Sequence, residues 1–460
     1  MLITRVIVLC GMFIINQVSA SSQLQQDLES DIKRFSNPDG AAHAVLVSRS
    51  GEPVFQYVQG FANLELEVKA NLDTIFEVGS LTKLFTAVAV LKLAQQNKLN
   101  LDTPISKYIS GMKSDYYTPT VHHLLAHTSG MVDAINSPEY LRYRVQEPIS
   151  LQELIDDHKT TNWQFEPGTR INYSNVGYSM LAHVIEQVSG QPYNDYLTTT
   201  FFKPLKMEST KQASSAITKR KASGYTFNGD VLRQHDLLNL TWAYGAGDML
   251  SSIADLNVWA SALMSEKLLN KHYLNVLTQN IQLADGRSFN SSLNFDNTNI
   301  DNRIAYRMNG STLGFSSHML YMPSETLFIV VLNNSDGVNG GDWIAPATIT
   351  SKLAATYLNL PSPDFKIVNV AGSRVNDLVG SYQLKDGTIR KLSFENEQFY
   401  YQRGEGTKFQ VLPMENDSFY FEDTLSYFQI KKGEAEIRFM DFYYFPDNRP
   451  ERAVQTDSKS

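Results

Sequence analysis

The stretch from Ser80 to Gln95 has the periodicity of a helix, and apolar residues occupy nearly every side of it. A helix without a broad polar face is stable only where other elements enclose it. The apolar positions are Leu84, Phe85, Ala87, Val88, Leu91 and Leu93. The pattern therefore predicts a buried helix with the rest of the core built around it.

Strand patterns occur on both sides of this helix in the sequence. Residues 44–58 are typical of two strands around a turn at Ser50-Gly51, and residues 315–332 are typical of two more. Residues 100–270, between them, are mostly helical in pattern, and Ala345–Leu358 is helical again. The order predicts an α+β fold, in which one mainly antiparallel sheet is built from both ends, flanked by helices and interrupted by a helical insert.

Composition changes near Leu360-Pro361-Ser362-Pro363, so we place a linker at residues 359–366. Residues 371–450 contain 16 aromatic residues in 80 positions, against 11% in the whole chain. Short alternating segments separated by turns such as Lys385-Asp386-Gly387 predict a small all-β, barrel-like domain over residues 367–455. The aromatic side chains are interpreted as core, with a ligand-binding cup as the alternative.

The first twenty residues have the features of a secretion signal. Arg5 gives a positive start, Val6–Ile15 is an apolar stretch, and Val18-Ser19-Ala20 fits the small-residue cleavage pattern. We therefore predict a signal peptide at residues 1–20, cut after Ala20, and a periplasmic or secreted protein without a stable membrane span. An uncleaved anchor is the alternative, although the apolar stretch is short for a membrane span.

Composition also limits the possible partners and chemistries. The 40 basic and 48 acidic residues give a net charge of −8 without a block of like charges, which gives no support to nucleic-acid binding. The single cysteine, Cys10, lies in the predicted signal peptide. The mature chain would therefore have no disulfide and no thiol nucleophile. The oligomeric state cannot be predicted from these features.

Ser80-Leu81-Thr82-Lys83, at the start of the buried helix, is the first candidate for catalysis. A spacing of three residues places the Lys83 ammonium beside the Ser80 hydroxyl on a helix. A serine needs such a neighbour to become a nucleophile, and a lysine in an apolar helix is costly unless it is paired. The alternative is an N-cap serine with a lysine that extends to solvent.

Two further segments favour the catalytic interpretation. Tyr173 and Asn175 lie in a loop before a predicted helix; a phenolate can act as general base toward a serine, and an asparagine amide can bind a substrate carbonyl. Gly310-Ser311-Thr312-Leu313-Gly314 leads into a predicted strand. A glycine-lined strand edge can offer a backbone N–H opposite that of Ser80, which would form an oxyanion hole.

With these segments the chain resembles the class C β-lactamase and penicillin-binding-protein-like serine hydrolases, a family that includes esterases, D-alanyl-D-alanine carboxypeptidases and D-aminopeptidases. The resemblance covers most of residues 40–358 and includes several motifs in the family's order. These are Phe76-Glu77-Val78-Gly79-Ser80-Leu81-Thr82-Lys83, Leu124-Leu125-Ala126-His127-Thr128-Ser129-Gly130, Pro167–Asn175, Gly245–Ser251 and Gly310–Ser317.

The resemblance implies a β-lactamase/transpeptidase-like fold for the domain of residues 21–358, and a lipocalin-like or barrel-like domain after it. It also implies roles for individual residues. Ser80 would be the acylated nucleophile, and Lys83 and Tyr173 the pair that transfers its proton. The substrate would be held by Asn175, Asn309, Gly310 and Ser311, with the backbone N–H groups of Ser80 and Ser311 as the oxyanion hole.

The sequence departs from the family at Met308. Relatives carry Lys-Thr-Gly or His-x-Gly where this chain has Met308-Asn309-Gly310, and a thioether cannot hold a substrate carboxylate. Arg307 is adjacent but should face the other side of a regular strand, unless a bulge intervenes. The departure shifts the expected substrates from β-lactams and D-Ala-D-Ala peptides toward esters or uncharged acyl compounds.

His123 and His127 have a spacing that can ligate zinc, but the segment between them lacks the glutamate of a zinc-protease helix. In the family that the chain resembles, the histidine before Thr-Ser-Gly is structural. Gly245-Ala246-Gly247 lacks the third glycine of a dinucleotide site. We therefore expect neither a metal nor a cofactor.

Together these features predict an exported serine hydrolase that forms an acyl-enzyme with small ester, amide or peptide substrates, including D-amino-acid peptides. The alternative is a catalytically impaired protein that keeps the fold and binds a cell-wall ligand. The observation that suggests it is Met308 in place of a cation. The retention of Ser80, Lys83, Tyr173 and Asn175 favours the enzyme.

Overall fold

The computed structural model describes residues 22–456 except 34, 113–117, 134–145, 160–162, 229–230, 236–237, 337–344, 361–367, 371, 405, 407, 422–425, 434–436 and 445–446. The chain divides into two compact units. One consists of Lys33–Asn299 and Arg303–Pro346, and the other of Ala347–Ser460 with Ile300–Asn302 and the N-terminal residues up to Ile32. The predicted signal peptide and most of the predicted linker lie outside the described residues.

The strands up to residue 333 form a six-stranded sheet and several short pairings. In chain order they are β1 (His43–Arg49), β2 (Glu52–Gln59), β3 (Phe61–Asn63), β4 (Val68–Lys69), β5 (Phe76–Glu77), β6 (Lys211–Gln212), β7 (Tyr225–Asn228), β8 (Val231–Gln234), β9 (Met249–Ser251), β10 (Asp296–Ile300), β11 (Arg303–Thr312), β12 (Phe315–Met322) and β13 (Leu327–Asn333). The large sheet has the order β10-β11-β12-β13-β1-β2.

The sheet is assembled from both ends of the unit, as the sequence predicts. β1 pairs antiparallel with β13, from His43 opposite Asn333 to Arg49 opposite Leu327. β1 and β2 are joined by Ser50 and Gly51, both with positive φ, as a tight hairpin turn requires. β1 and β13 are buried almost throughout, so their near-continuous apolar runs fit a strand that is covered on both faces.

The described helices are α1 (residues 22–33), α2 (Thr82–Gln95), α3 (Val121–Leu125), α4 (Leu151–His158), α5 (Asn175–Ser189), α6 (Tyr193–Leu197), α7 (Lys203–Leu205), α8 (Ile253–Met264), α9 (Lys271–Thr278), α10 (Pro346–Tyr357) and α11 (Gly372–Leu378). α2 is buried over nearly its whole length and lies in one hydrophobic core with residues of β13 and α5. The prediction of a buried helix is therefore confirmed.

The C-terminal strands close into an eight-stranded antiparallel barrel, which confirms the predicted barrel-like domain. They are β14 (Gly380–Gln383), β15 (Ile389–Glu395), β16 (Gln398–Arg403), β17 (Lys408–Met414), β18 (Ser418–Tyr420), β19 (Tyr427–Lys432), β20 (Arg438–Tyr444) and β21 (Asp447–Gln455). Phe399, Tyr401, Phe419, Phe428 and Phe442 are buried in its core, which supports the interpretation of these aromatic residues as core.

The mixture of helices with a mainly antiparallel sheet, followed by a barrel, is the α+β architecture that the sequence predicts. Among the described helices, none combines the length and the apolar character that crossing a membrane requires.

Candidate active site

Ser80 lies in a single 3₁₀ turn, Gly79–Leu81, that leads directly into α2. Gly79 has a φ of +54°, a conformation that glycine adopts without strain. Lys83 follows one turn later, and its side chain is almost fully enclosed, with 1% of its surface exposed. The sequence therefore places a hydroxyl at the open start of a buried helix and an ammonium directly behind it.

The Lys83 ammonium makes three hydrogen bonds. Its Nζ donates to the Ala246 carbonyl oxygen at 2.7 Å, to Asn175 Oδ1 at 2.8 Å and to Ser80 Oγ at 3.3 Å. Because an ammonium has three hydrogens, these acceptors satisfy it completely. Lys83 is therefore held by groups from three separate segments and is not a lysine that extends to solvent.

Tyr173 is the second neighbour of Ser80. Its Oη is 2.6 Å from Ser80 Oγ, and Lys83 Nζ lies 4.6 Å from the centre of its ring. With 47% of its surface exposed, Tyr173 can be reached by a substrate. The structure thus brings together the three residues that the sequence analysis named as catalytic.

Asn175 is the first residue of α5, whereas the sequence analysis placed it in the loop before that helix. Ser174 caps this helix by accepting the Gly177 N–H, and Asp133 Oδ2 accepts the Asn175 N–H at 2.7 Å. Since Asn175 Oδ1 accepts from Lys83, its Nδ2 group is the part of the amide that could donate to a substrate carbonyl.

His127 supports Tyr173, a role that the sequence analysis did not assign. The two rings stack with centroids 4.6 Å apart, and His127 Nδ1 accepts the Ser174 N–H at 3.1 Å. Burial, and secondarily the charge of Lys83, lower the pKa of His127 to about 3. His127 is therefore a neutral imidazole with its proton on Nε2.

The backbone of β11 packs directly against the Ser80 turn. A Cβ on Gly79 would lie 2.5 Å from Ser311 N, and a Cβ on Gly310 would lie 2.2 Å from Val78 O. Ser317 Oγ fastens the same contact by donating to Val78 O at 2.9 Å. Two glycines thus allow Ser311 to approach Ser80 as closely as an oxyanion hole between their N–H groups would need.

β11 runs without a bulge past the active site. Its pairing with β12 is continuous from Tyr306 to Thr312. Met308 is buried in the core cluster opposite Met319. Arg307 and Asn309 therefore lie on the other face of the strand from Met308, so Arg307 does not take the strand position of the relatives' lysine or histidine, but its side chain lines the same cleft.

These residues line a cleft of about 350 Å³, which contains Ser80, Lys83, His127, Tyr173, Arg307 and Met308–Ser311. Its remaining wall is Ser291–Asp296, a segment that the sequence analysis missed. The segment contains no motif that would mark it in the sequence as part of a catalytic site, so its place in the cleft is seen only in the folded structure. Of the lining residues that the structure describes, Lys83 and Arg307 are the basic side chains besides His127, and Asp296 is the acidic one.

Asp248 acts on Lys83 indirectly, through the segment that contains Ala246. Its Oδ1 accepts the Gly245 N–H at 3.0 Å and its Oδ2 accepts from Gln212 Nε2 at 2.7 Å, which fixes the segment that presents the Ala246 carbonyl to Lys83. Burial raises the pKa of Asp248 to about 7. The carboxyl is therefore partly protonated near neutral pH.

The two histidines with zinc-ligand spacing make different contacts. His123 closes the N-terminus of α3 through a reciprocal contact with Thr120, whereas His127 lies against Tyr173. Within the described part of the chain, no group of three or more His, Cys, Asp or Glu side chains is arranged to hold a metal.

A family model described as Beta-lactamase matches residues 33–351, which is well over half of the chain. The chain belongs to the β-lactamase family. The resemblance seen in the sequence motifs is confirmed, and with it the assignment to this family of serine hydrolases.

The curated relatives of this β-lactamase-family chain include Protein flp of Staphylococcus aureus, 29% identical over 323 residues. That match covers 68% of this chain but 63% of flp, so the chain spans less than two thirds of that relative. Penicillin-binding protein 4* of Bacillus subtilis is 24% identical and matches 90% of this chain and 94% of its own length.

Solved structures agree on the fold of this family member. The octameric penicillin-binding protein homologue from Pyrococcus abyssi superposes with a TM-score of 0.64 at 21% identity, over 93% of this chain and 99% of that one. The D-amino acid amidase from Ochrobactrum anthropi gives 0.62 at 22% identity, over 73% of this chain and 97% of that one.

Proposed function

We propose that this β-lactamase-family protein hydrolyses esters or amides through an acyl-enzyme on Ser80, with Lys83 and Tyr173 transferring the proton. The observation that carries the proposal is the hydrogen-bond chain from Lys83 Nζ to Ser80 Oγ to Tyr173 Oη. A serine between a buried ammonium and an accessible phenol has both the neighbours that nucleophilic catalysis requires.

The distances favour Tyr173 as the group that takes the proton. The Ser80–Tyr173 contact is 2.6 Å, whereas Lys83 Nζ is 3.3 Å from Ser80 Oγ and donates more closely to Asn175 and Ala246. Tyr173 Oη would therefore accept the Ser80 proton as phenolate, with the nearby ammonium of Lys83 balancing its charge. Ser80 Oγ bonds to the carbonyl carbon at the same time.

The rest of the reaction follows from proton balance. The Tyr173 proton passes to the leaving alcohol or amine as its bond to the acyl carbon breaks, which leaves an ester on Ser80. A water molecule, deprotonated by the same phenolate, then attacks the acyl carbon. The bond between that carbon and Ser80 Oγ breaks, the acid is released, and the proton on Tyr173 returns to Ser80 Oγ. In both steps the carbonyl oxygen would be held by the N–H groups of Ser80 and Ser311.

The substrate class is proposed on two grounds. Met308 puts a thioether at the strand position where relatives have a cation, and the cation at the next position, Arg307, lines the cleft from the other face of β11. This favours esters and uncharged acyl groups over compounds whose terminal carboxylate is held at the position of Met308. The similarity to a D-amino acid amidase and to penicillin-binding proteins supports D-amino-acid amides and peptides as a second group.

Covalent labelling of the purified protein tests this proposal. The protein would be treated separately with a fluorophosphonate, an activated acyl ester and a penicillin, and the intact mass measured. We expect at least one of the three reagents to form an adduct with wild type. The same reagent should label Ser291→Ala, which removes another serine of the cleft, but not Ser80→Ala. We expect Tyr173→Phe to form the adduct at least about a hundredfold more slowly.

A protein that binds a cell-wall ligand without turnover is the second candidate, because Met308 is buried in the cleft in place of a cation. Failure of all three reagents to label wild type would favour it over the enzyme. Turnover that survives in Ser80→Ala would contradict the proposed mechanism itself.

Export to the periplasm or medium is proposed from residues 1–20 alone. N-terminal sequencing of the protein recovered from the periplasm or medium of a bacterial host tests it, and we expect Ser21 as the first residue. Recovery of the intact N-terminus in the membrane fraction would instead support the uncleaved anchor.

A further inference from the structure

A second cleft, of about 590 Å³, is lined by residues of α9, the following loop, β10 and β11. None of the ten described residues that line it is charged, and half of them are asparagines. The asparagines are Asn275, Asn280, Asn290, Asn297 and Asn299. We refer to it as the amide cleft.

The amide of Asn297 is held in place by two hydrogen bonds. Asn297 Nδ2 donates to the Thr278 carbonyl oxygen at 2.9 Å and to Asn280 Oδ1 at 2.8 Å. These two acceptors fix which end of the Asn297 amide is oxygen. Asn297 Oδ1 is itself buried, so a ligand would meet the amides of the exposed asparagines, which are Asn275, Asn280, Asn290 and Asn299.

One side of the cleft is apolar. Ile304 and Tyr306 are two residues apart on β11 and therefore share a face of the strand. Ile304 is 53% exposed, which is unusual for an isoleucine in a sheet. The Tyr306 ring is supported from behind by Phe295, with ring centroids 5.5 Å apart.

This combination suits a neutral sugar. A sugar hydroxyl both donates and accepts hydrogen bonds, and a carboxamide does the same without the desolvation cost of a charge. The apolar face of a sugar ring can pack on the Ile304 and Tyr306 side chains. An ionic ligand would find no charged group among the lining residues to pair with.

A peptide that adds a strand to the sheet fits less well. β10 is the edge strand of the sheet, but the Asn297 N–H already donates to the Asn290 carbonyl oxygen at 3.0 Å. Asp296 likewise forms a bridge with Ser291. The first part of the edge is therefore occupied by the chain's own loop, and main-chain pairing with a peptide is blocked there.

The amide cleft and the catalytic cleft are lined from neighbouring positions of the same strands. Asn297 and Tyr306 line the former, and their chain neighbours Asp296 and Arg307 line the latter. The two clefts share no lining residue, so binding in the amide cleft can be tested separately from the chemistry at Ser80.

We propose that the amide cleft binds a neutral oligosaccharide. This binding does not depend on the proposed chemistry at Ser80.

Calorimetric titration with chitotetraose and maltotetraose tests the binding, with tetragalacturonate as an anionic counterpart and tetraglycine as a peptide. We expect at least one neutral sugar to bind wild type and Ser80→Ala equally, since Ser80 does not line the amide cleft. The double variant Asn275→Leu/Asn299→Leu should weaken binding at least about tenfold. Both side chains are exposed, so the variant should fold.

Asn376→Leu, an exposed asparagine on α11, is the matched control and should bind as wild type does. Hydrolysis of a small activated ester should be unchanged in the double variant. Absence of binding by both neutral sugars at millimolar concentration, equal binding by the double variant, or preference for tetraglycine or tetragalacturonate would overturn the proposal. Ester hydrolysis by Ser80→Ala tests the catalytic mechanism and has no bearing on sugar binding in the amide cleft.

Discussion

The imidazole of His127 stacks on the phenol ring of Tyr173, with centroids 4.6 Å apart and ring planes 28° from parallel. The same imidazole accepts the backbone N–H of Ser174, the next residue. His127 therefore fixes both the ring and the backbone of the tyrosine that contacts Ser80. Because burial keeps the pKa of His127 at about 3, it does this as a neutral group.

We expect His127→Phe to lower kcat about tenfold and His127→Ala about a hundredfold, because the first keeps the stacking surface and the second removes it. KM for a small ester should change little. Steady-state kinetics from about pH 5 to about pH 9 measure this. The acid limb of the profile should stay where it is in wild type, and its disappearance in His127→Phe would identify His127 as a proton carrier instead.

Gly310 is required for the contact between β11 and the Ser80 turn. A Cβ at Gly310 would lie 2.2 Å from Val78 O and 2.4 Å from Ser317 Oγ, so Gly310→Ala must push the strand away from Ser80. We expect kcat to fall about a hundredfold or more, as when one oxyanion donor is lost. Single-turnover acylation by an activated ester measures it.

Gly372→Ala is the control for that substitution, since a Cβ at Gly372 would meet no atom within 4 Å. It should acylate at the wild-type rate. Wild-type acylation by Gly310→Ala, in a protein with unchanged thermal stability, would show that the oxyanion is not held between Ser80 and β11.

The parts of the site that the sequence predicts are those in which spacing along a regular element determines geometry. Ser80 and Lys83 are three residues apart at a helix start, and a three-residue helical spacing brings such side chains together. Tyr173 and Asn175 were found as a motif before a helix, and the structure brings both to Lys83 and Ser80.

The remaining parts depend on contacts between distant segments, which no local pattern encodes. Lys83 is held by the carbonyl oxygen of Ala246, and a backbone acceptor leaves no signal in side-chain identity. The Ser291–Asp296 wall and the amide cleft arise only where the loop before β10 folds against β11. The antiparallel sheet and the barrel were predictable because alternation and turns define each strand.

Met308 allows the question of substrate charge to be tested directly. We expect Met308→Lys to raise the rate of acylation by a penicillin at least about tenfold relative to a neutral ester, because it adds a cation at this strand position to Lys83 and Arg307 in the catalytic cleft. The same substitution should lower the melting temperature, since Met308 is 6% exposed and packs in the core.

Met319→Lys is the matched control. Met319 lies directly opposite Met308 and is 5% exposed, but it does not line the catalytic cleft. Thermal unfolding and stopped-flow acylation would be compared for both variants. We expect both substitutions to lower the melting temperature, but only Met308→Lys to speed acylation by the penicillin. Unchanged penicillin acylation in Met308→Lys would show that the residue at position 308 does not select substrates by charge.

The raised pKa of Asp248 predicts how the free energy of unfolding varies with pH. Its burial, partly offset by hydrogen bonds from Gln212 and Gly245, raises its pKa from 3.8 to about 7 in the folded protein. Between these values the folded chain binds the proton more tightly than the unfolded chain does. The contribution of Asp248 to stability is therefore greatest below about pH 4 and is lost as the pH rises toward about 7.

Asp248→Asn removes this titration while keeping an oxygen that can accept the Gly245 N–H. Urea unfolding of both proteins from about pH 5 to about pH 8 measures the effect. The free energy of unfolding of wild type minus that of Asp248→Asn should fall as pH rises and level off above about pH 7. A difference that stays constant across this range would mean that Asp248 titrates outside it, and that its carboxyl is charged wherever it holds the Ala246 segment against Lys83.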